Sequence, residues 1–209
     1  MDSLQRWFAE KWESEGATEK LYLKRDLIGP DSVVFDIGGY KGEWAEAMVR
    51  QYDPHIYIFE PVVGWVQDLA RKFNNNPKVR IYPYGLASES GFHNLYLQGS
   101  GSSLYRPAGV SEVCEFRDIP TAVCDVLGVE SVGHARIDLV AVNIEGGEYD
   151  LFKAIFKSGL AWRVRDFLIQ FHAFWPASYD DRNYVREQLS QTHECLWEYP
   201  FVWEMWRLR

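Results

Sequence analysis

Cysteine is scarce in this chain, and what there is does not pair. Cys114, Cys124 and Cys195 are an odd number with no CxxC spacing. That argues against a disulfide framework or a zinc site and is consistent with a reducing, cytoplasmic compartment. Long apolar runs are missing too. None approaches the roughly 18 residues that span a bilayer, so no membrane partner is expected. The opening MDSLQRWFAEKWESE is acidic and amphipathic, without the basic-then-apolar pattern of a secretory signal. Positive charge is in deficit: 22 Lys and Arg stand against 30 Asp and Glu, a net charge of −8. That balance argues against a phosphate-tracking surface, and no nucleic-acid partner is expected. Repeats, low-complexity tracts and a Pro/Gly-rich linker are also absent. The 209 residues therefore read as one domain, with 1–30 as an N-terminal helical extension.

What is present is a regular alternation of periods. Residues 2–15 and 18–28 read as helices, the second closed by Gly29-Pro30. DSVVFDIGG (31–39) is a continuous apolar run closed by glycines, as expected of a strand buried on both faces. IYIFEP (56–61), VRIYPYGL (79–86), DLVAVNIEGG (138–147) and RDFLIQFHAF (165–174) read the same way. Helices are expected over 42–52, with Trp44, Ala47 and Met48 inward, and over 63–74, with Val63, Val66, Leu69, Ala70 and Phe73 on one stripe. Further helices are expected over 119–128, 148–158 and 178–190, and shorter strands over 92–98 and 112–117. The aromatic-rich tail 193–208 alternates around Pro200 and predicts two antiparallel strands, with Trp197, Tyr199, Phe201, Trp203 and Trp206 mostly in their core. Strand and helix alternating in this way predict an α/β fold with a doubly wound, mostly parallel sheet.

In such a sheet, ligands bind outside the carboxyl ends of the strands. The turn Gly38-Gly39-Tyr40-Lys41-Gly42 follows the first core strand, where glycines permit a tight bend and a close approach. It does not match the G-x-G-x-x-G turn of dinucleotide sites. Asp36, two residues before the first glycine, suits an ammonium better than a diphosphate by sign of charge alone. Glu60-Pro61 ends the second strand, placing a carboxylate to accept from both hydroxyls of a ribose. An NAD site predicts the same residue, and a helix-start charge is the bland reading of it. Asp36 and the broken glycine pattern together favour a ligand with a ribose, an adenine and a zwitterionic amino acid but no phosphate, which describes S-adenosylmethionine (SAM).

A second acidic cluster, Asn143, Glu145 and Glu148 in VNIEGGE, ends a later strand and should reach the same crevice. Part of it, Glu148 and Asp150, also suits the first turn of the following helix. VVFDIGGYKG, IYIFEPV, YGLASESG, GSSL and VNIEGGE, in that order, resemble the FkbM-type SAM-dependent methyltransferases over about residues 31–175. The resemblance implies a class I methyltransferase-like fold, a seven-stranded sheet with a C-terminal antiparallel strand pair. It implies SAM held by Asp36, Gly38 and the turn through Gly39, Tyr40 and Gly42, with Glu60 and Pro61 at the ribose. Gly85, Leu86, Ala87 and Ser88 would border the adenine, and Asn143 would lie beside the cofactor. The family's usual acceptor is a hydroxyl on a sugar or natural-product scaffold. Its last motif carries a lysine where Ala141 stands and an aspartate where Asn143 stands.

Methyl transfer to an alcohol needs a base near its proton. Of the five histidines, His172 near the end of LIQFHAF is the candidate, with Glu145 second and Asn143 as an orienting group. A packed, hydrogen-bonded His172 is the bland alternative. Asn143, Glu145, Glu148 and His172 include potential metal ligands, but in no recognised metal spacing, so no metal is expected. GSGSSLYRP (99–107) reads either as a substrate gate contacting through Tyr105 and Arg106 or as a plain surface loop. The Ala141 and Asn143 departures leave open a catalytically silent SAM-binding domain, and Asn143 leaves open an amine acceptor.

Overall fold

The computed structural model describes residues 3–22, 27–99, 101–107 and 109–209. In chain order the elements are α1 (Ser3–Ser14), β1 (Val33–Ile37), α2 (Glu43–Tyr52), β2 (His55–Phe59), α3 (Val63–Lys72), β3 (Val79–Tyr82), β4 (Gly85–Ala87), β5 (Gly91–Tyr96) and β6 (Ser111–Asp118). Then come α4 (Ile119–Leu127), β7 (Ile137–Val142), α5 (Glu148–Ser158), β8 (Val164–Ile169), α6 (Ser178–Leu189), β9 (His193–Tyr199) and β10 (Trp203–Leu208). Local chemistry sets several boundaries. Asp118 caps α4 by accepting from the Thr121 amide at 3.1 Å, and Gly128, in the left-handed region at φ 65°, ends that helix.

Seven strands form one sheet in the order β3-β2-β1-β7-β8-β10-β9. The first five run parallel, and β10 is antiparallel to both β8 and β9. The order reverses between β1 and β7, which opens a crevice at their carboxyl ends. Alternation along β1 feeds two cores. Phe35 and Ile37 join Phe59, Val142, Phe152 and Phe167 on one face, while Val34 joins Ile56, Met48, Leu69 and Leu139 on the other. Each such side chain contributes about 1.5–3 kcal/mol when fully buried. Trp12 of α1 packs into the second core against Tyr199, with ring centroids 5.0 Å apart. This helix therefore lies against the body, while Trp7 stays 53% exposed. None of the described helices is long and apolar enough to cross a membrane.

Several expectations need correcting. In place of a helix over 18–28, a single 3-10 turn spans Ala17–Leu21; residues 23–26 lie outside the described set. The run 79–86 is not one strand. It breaks at Pro83, and β4 leaves the main sheet to pair in parallel with β6, which also pairs antiparallel with β5. This second, three-stranded sheet encloses a small core of Val62, Leu95, Cys114 and Phe116. On α3 only Leu69 is buried, with Phe73 just beyond the helix end, whereas Val63 and Ala70 are exposed. On α2 the buried pair is Ala45 and Met48, with Trp44 and Ala47 half-buried. The strand 165–174 stops at Ile169, so His172 lies in the loop that follows β8.

The closing strand pair is bolted to α6 by charge. Glu204 of β10 is fully buried and accepts from Arg182 Nε and Arg186 Nη1, both at 2.6 Å, and from Trp206 Nε1 at 3.0 Å. A buried carboxylate with three donors is fully satisfied, and removing it leaves the two guanidinium groups only the half-exposed Glu198 carboxylate, 2.8 Å from Arg182 and 2.6 Å from Arg186. Glu204→Ala is expected to lower unfolding free energy by about 3–5 kcal/mol, measured by urea denaturation. A loss below about 1 kcal/mol would show that solvent reaches these arginines.

Candidate functional site

The site begins with the backbone after β1. Gly38 has φ 89°, and a Cβ there would sit 2.1 Å from the Asn143 carbonyl oxygen. Glycine is therefore required for β1 and the end of β7 to approach each other. A Cβ on Gly39 would meet Ile58 Cγ2 at 2.2 Å, and one on Gly42 would meet Leu69 Cδ2 at 2.6 Å. Those two glycines serve packing against β2 and α3, and neither lines the cleft.

The amides of this turn are spent inside the protein. Gly38 N–H donates to the Phe59 carbonyl at 3.0 Å and Gly39 N–H to the same oxygen at 3.4 Å. Tyr40 N–H donates to Glu60 Oε2 at 2.9 Å, and Gly42 N–H to the Gly39 carbonyl at 2.8 Å. The other oxygen of Glu60, Oε1, accepts from Val62 N–H at 2.9 Å. A carboxylate thus occupies the place where a phosphate-binding turn would aim its free N–H groups.

Glu60 is 3% exposed and Asp36 6%. Burial pushes the Glu60 carboxyl up to about 7, although the Val62 and Tyr40 amides pull against it. Burial likewise raises Asp36 to about 7, with the Glu60 charge adding to it. Asp36 does not line the cleft. It lies beneath the turn, with Oδ2 3.7 Å from where a Gly39 Cβ would be. That Oδ2 and Asn143 Oδ1 are both buried without a hydrogen-bond partner, a costly arrangement.

Above the turn lies an open cleft. Gly38, Tyr40, Glu60 and Pro61 form one wall, and Gly85, Leu86, Ala87 and Ser88 another. Asn143 lies beside Gly38, and Glu145, two residues on, lies at the far end. The apolar surfaces of Trp65, Leu95, Leu104 and Phe116 complete it. Sequence reasoning did not find these four. Leu95 and Phe116 show strand alternation, but only the pairing of the second sheet turns them toward this cavity.

The far end is built by two turns. Glu145 has φ 51° and Gly146 φ 103°. Ser103 Oγ donates to the Glu145 carbonyl at 2.5 Å, which ties the segment 101–107 to this turn. Tyr105 packs on Trp175 at 5.4 Å, and the Arg106 guanidinium lies 4.8 Å over the Phe174 ring. His172 does not line the cleft but touches a residue that does. Its Nε2 is 3.0 Å from Glu145 Oε1, and its Nδ1 is 3.2 Å from Glu148 Oε1. Burial works against a charge on this ring, but hydrogen bonds to Glu145 and Glu148 overcome it and raise its pKa to about 9. Among the described residues, no three His, Cys, Asp or Glu are arranged to hold a metal ion.

No protein-family model matches the chain, and no curated protein sequence does. Solved structures share its fold. The methyltransferase FkbM of Methylobacillus flagellatus KT aligns over 90% of this chain at 13% identity with a TM-score of 0.55, and the chain spans about half of that protein's length (47%). SMU.1697c of Streptococcus mutans, a proposed methyltransferase crystallised with S-adenosylhomocysteine (SAH), aligns over 93% of this chain and 97% of its own, with 11% identity and a TM-score of 0.55. An rRNA methylase of Streptococcus thermophilus aligns over 92% of this chain and 95% of its own, with 8% identity and a TM-score of 0.52. The likeness is one of fold. A seven-stranded, mostly parallel sheet with an antiparallel C-terminal pair is the class I methyltransferase arrangement.

Proposed function

We propose that the chain is a SAM-dependent methyltransferase that transfers a methyl group to a hydroxyl of a small-molecule or sugar-like acceptor by in-line displacement. One observation carries the reading: Glu60 and the Phe59 carbonyl take up the Gly38, Gly39 and Tyr40 amides of the turn after β1. A diphosphate would find a carboxylate there and few free donors, whereas a ribose brings two hydroxyl donors to that same carboxylate. The unpartnered Asp36 Oδ2 beneath the turn supports a cationic amino acid group nearby. Gly85, Leu86 and Ala87, with Leu95 and Phe116, offer the apolar surface an adenine needs. When bound, SAM supplies a methyl group already activated by a sulfonium.

The remaining work falls to Glu145 and Asn143. Glu145 offers a carboxylate to an acceptor proton, and Asn143 Oδ1 accepts from and orients the same group. Holding the acceptor oxygen in line supplies on the order of 7–11 kcal/mol through proximity and orientation. His172 is assigned a different role from the base expected of it. Clamped between two carboxylates, it is an imidazolium at neutral pH and has no lone pair to offer. It orients Glu145 instead. A small acceptor is favoured over RNA because the charged side chains lining the cleft are Glu60, Glu145 and Asp150, all carboxylates that repel a polyanion.

Two outcomes are expected in calorimetric titrations with SAM. Glu60→Ala removes a charged hydrogen-bond acceptor worth about 1.5–3 kcal/mol, so affinity should fall about tenfold or more. Unchanged affinity would defeat the ribose assignment. Affinity should also rise with pH. Asp36 and Glu60 hold protons up to about 7 in the free protein, and binding a cationic ligand requires them ionised. The ligand therefore displaces protons below pH 7, and affinity increases between about pH 6 and 8 before levelling. Asp36→Asn should flatten that rise; an equally steep rise in the variant would remove Asp36 from the account.

A further inference from the structure

Glu148 is the first residue of α5, where a carboxylate ordinarily faces solvent and offsets the helix dipole. Here it is fully buried. Its Oε1 accepts from the His172 backbone N–H at 2.7 Å and faces His172 Nδ1 at 3.2 Å, while its Oε2 accepts from Gly146 N–H at 2.9 Å. One carboxylate thus joins the turn after β7 to the loop after β8. Tyr149 Oη donates to the His172 carbonyl at 2.5 Å and pins the same residue from its other side. The imidazole is then fixed at both nitrogens, Nδ1 on Glu148 and Nε2 on Glu145 Oε1 at 3.0 Å.

We infer that Glu148 is a positioning residue for the acceptor end of the cleft: it anchors His172, and through that ring it aims the Glu145 carboxylate at the acceptor. The assignment rests on the reading of Glu145 as the acceptor-facing carboxylate. A helix-start role alone leaves the contacts unexplained, because it needs neither complete burial nor two interactions with one histidine in another loop. Glu145 also needs the support. Its backbone is in the left-handed region, a conformation that persists only where surrounding contacts determine it. Ser103 holds its carbonyl, Glu148 holds the next amide, and His172 holds its side chain. The groups facing the imidazole are Glu145, Glu148 and the Phe174 ring at 5.2 Å, with the Arg106 guanidinium over that same ring. The two carboxylates keep His172 charged toward pH 9, so a charge-assisted contact holds Glu145 through the neutral range.

The test uses the full chain labelled with nitrogen-15 histidine and carbon-13 carboxyl glutamate, titrated by NMR. In the wild type, the His172 ring nitrogens should titrate with a midpoint near 9, and the Glu145 carboxyl carbon should report the same midpoint. In Glu148→Gln, the His172 midpoint should fall by about one unit or more, and the Glu145 response should disappear. If both signals stay in place in this variant, Glu148 is a helix-start carboxylate and nothing more. Should Glu148→Gln fail to fold, the wild-type titration still decides, because a His172 midpoint at or below its ordinary 6.5 would overturn the assignment. SAH calorimetry on the wild type separates the two readings. A protein that does not bind SAH defeats the methyltransferase reading, whereas SAH binding with unmoved signals in Glu148→Gln defeats this assignment alone.

Discussion

The site depends on how one carboxylate is held. Glu60 takes the Tyr40 and Val62 amides and so fills, from within the protein, the position that an anionic ligand would need. This works only because β1 and β2 run side by side in parallel, with Ile37 opposite Phe59. That register brings the Phe59 carbonyl under the Gly38 and Gly39 amides. The glycines follow from the same constraint, since a side chain at Gly38 would collide with the Asn143 carbonyl and part β1 from the end of β7. Strand spacing thus dictates turn composition, and turn composition leaves a crevice floored by carboxylates.

Electrostatics adds a cost that the free protein carries. Asp36 and Glu60 are buried near each other, and both resist ionisation until about pH 7. Under the proposed function, a cationic ligand repays that cost on binding. The opposite end of the cleft solves the same problem with its own cation: His172 sits between Glu145 and Glu148 and neutralises part of their charge. The two ends are therefore built differently. One leaves carboxylate capacity for a ligand, and the other spends it on holding a loop in place. The second sheet supplies what neither end has, an apolar wall from Leu95 and Phe116, which Leu104 from the segment between β5 and β6 extends.

Much of the main sheet was legible in the residues. Strands buried on both faces appear as unbroken apolar runs, which is how β1, β2 and β7 announce themselves, and the alternation around Pro200 marks the closing pair. The second sheet was not legible as such, because β4 is three residues long and its partner β6 lies about thirty residues on. His172 was misplaced for a related reason: the apolar run LIQFHAF continues past Ile169, where backbone pairing with β7 and β10 has already stopped. Among the candidate site residues, Gly38, Tyr40, Glu60, Pro61, Gly85, Leu86, Ala87, Asn143 and Glu145 do come together. Gly39 and Gly42 do not, since a glycine demanded by a neighbouring side chain looks the same in sequence as one demanded by a ligand. Glu148 reads in sequence both as part of the acidic cluster expected at the crevice and as a helix start; it does not line the crevice, and its burial against His172 separates it from an ordinary helix start.

The central claim is that this crevice takes an adenosyl amino acid and refuses a diphosphate. Crystals of the protein soaked with SAH and NADH at equal concentration test it most directly. The account predicts electron density for one adenosine beside Gly38, its ribose hydroxyls on Glu60 and no phosphate attached. Density for a diphosphate against the turn after β1 would contradict it.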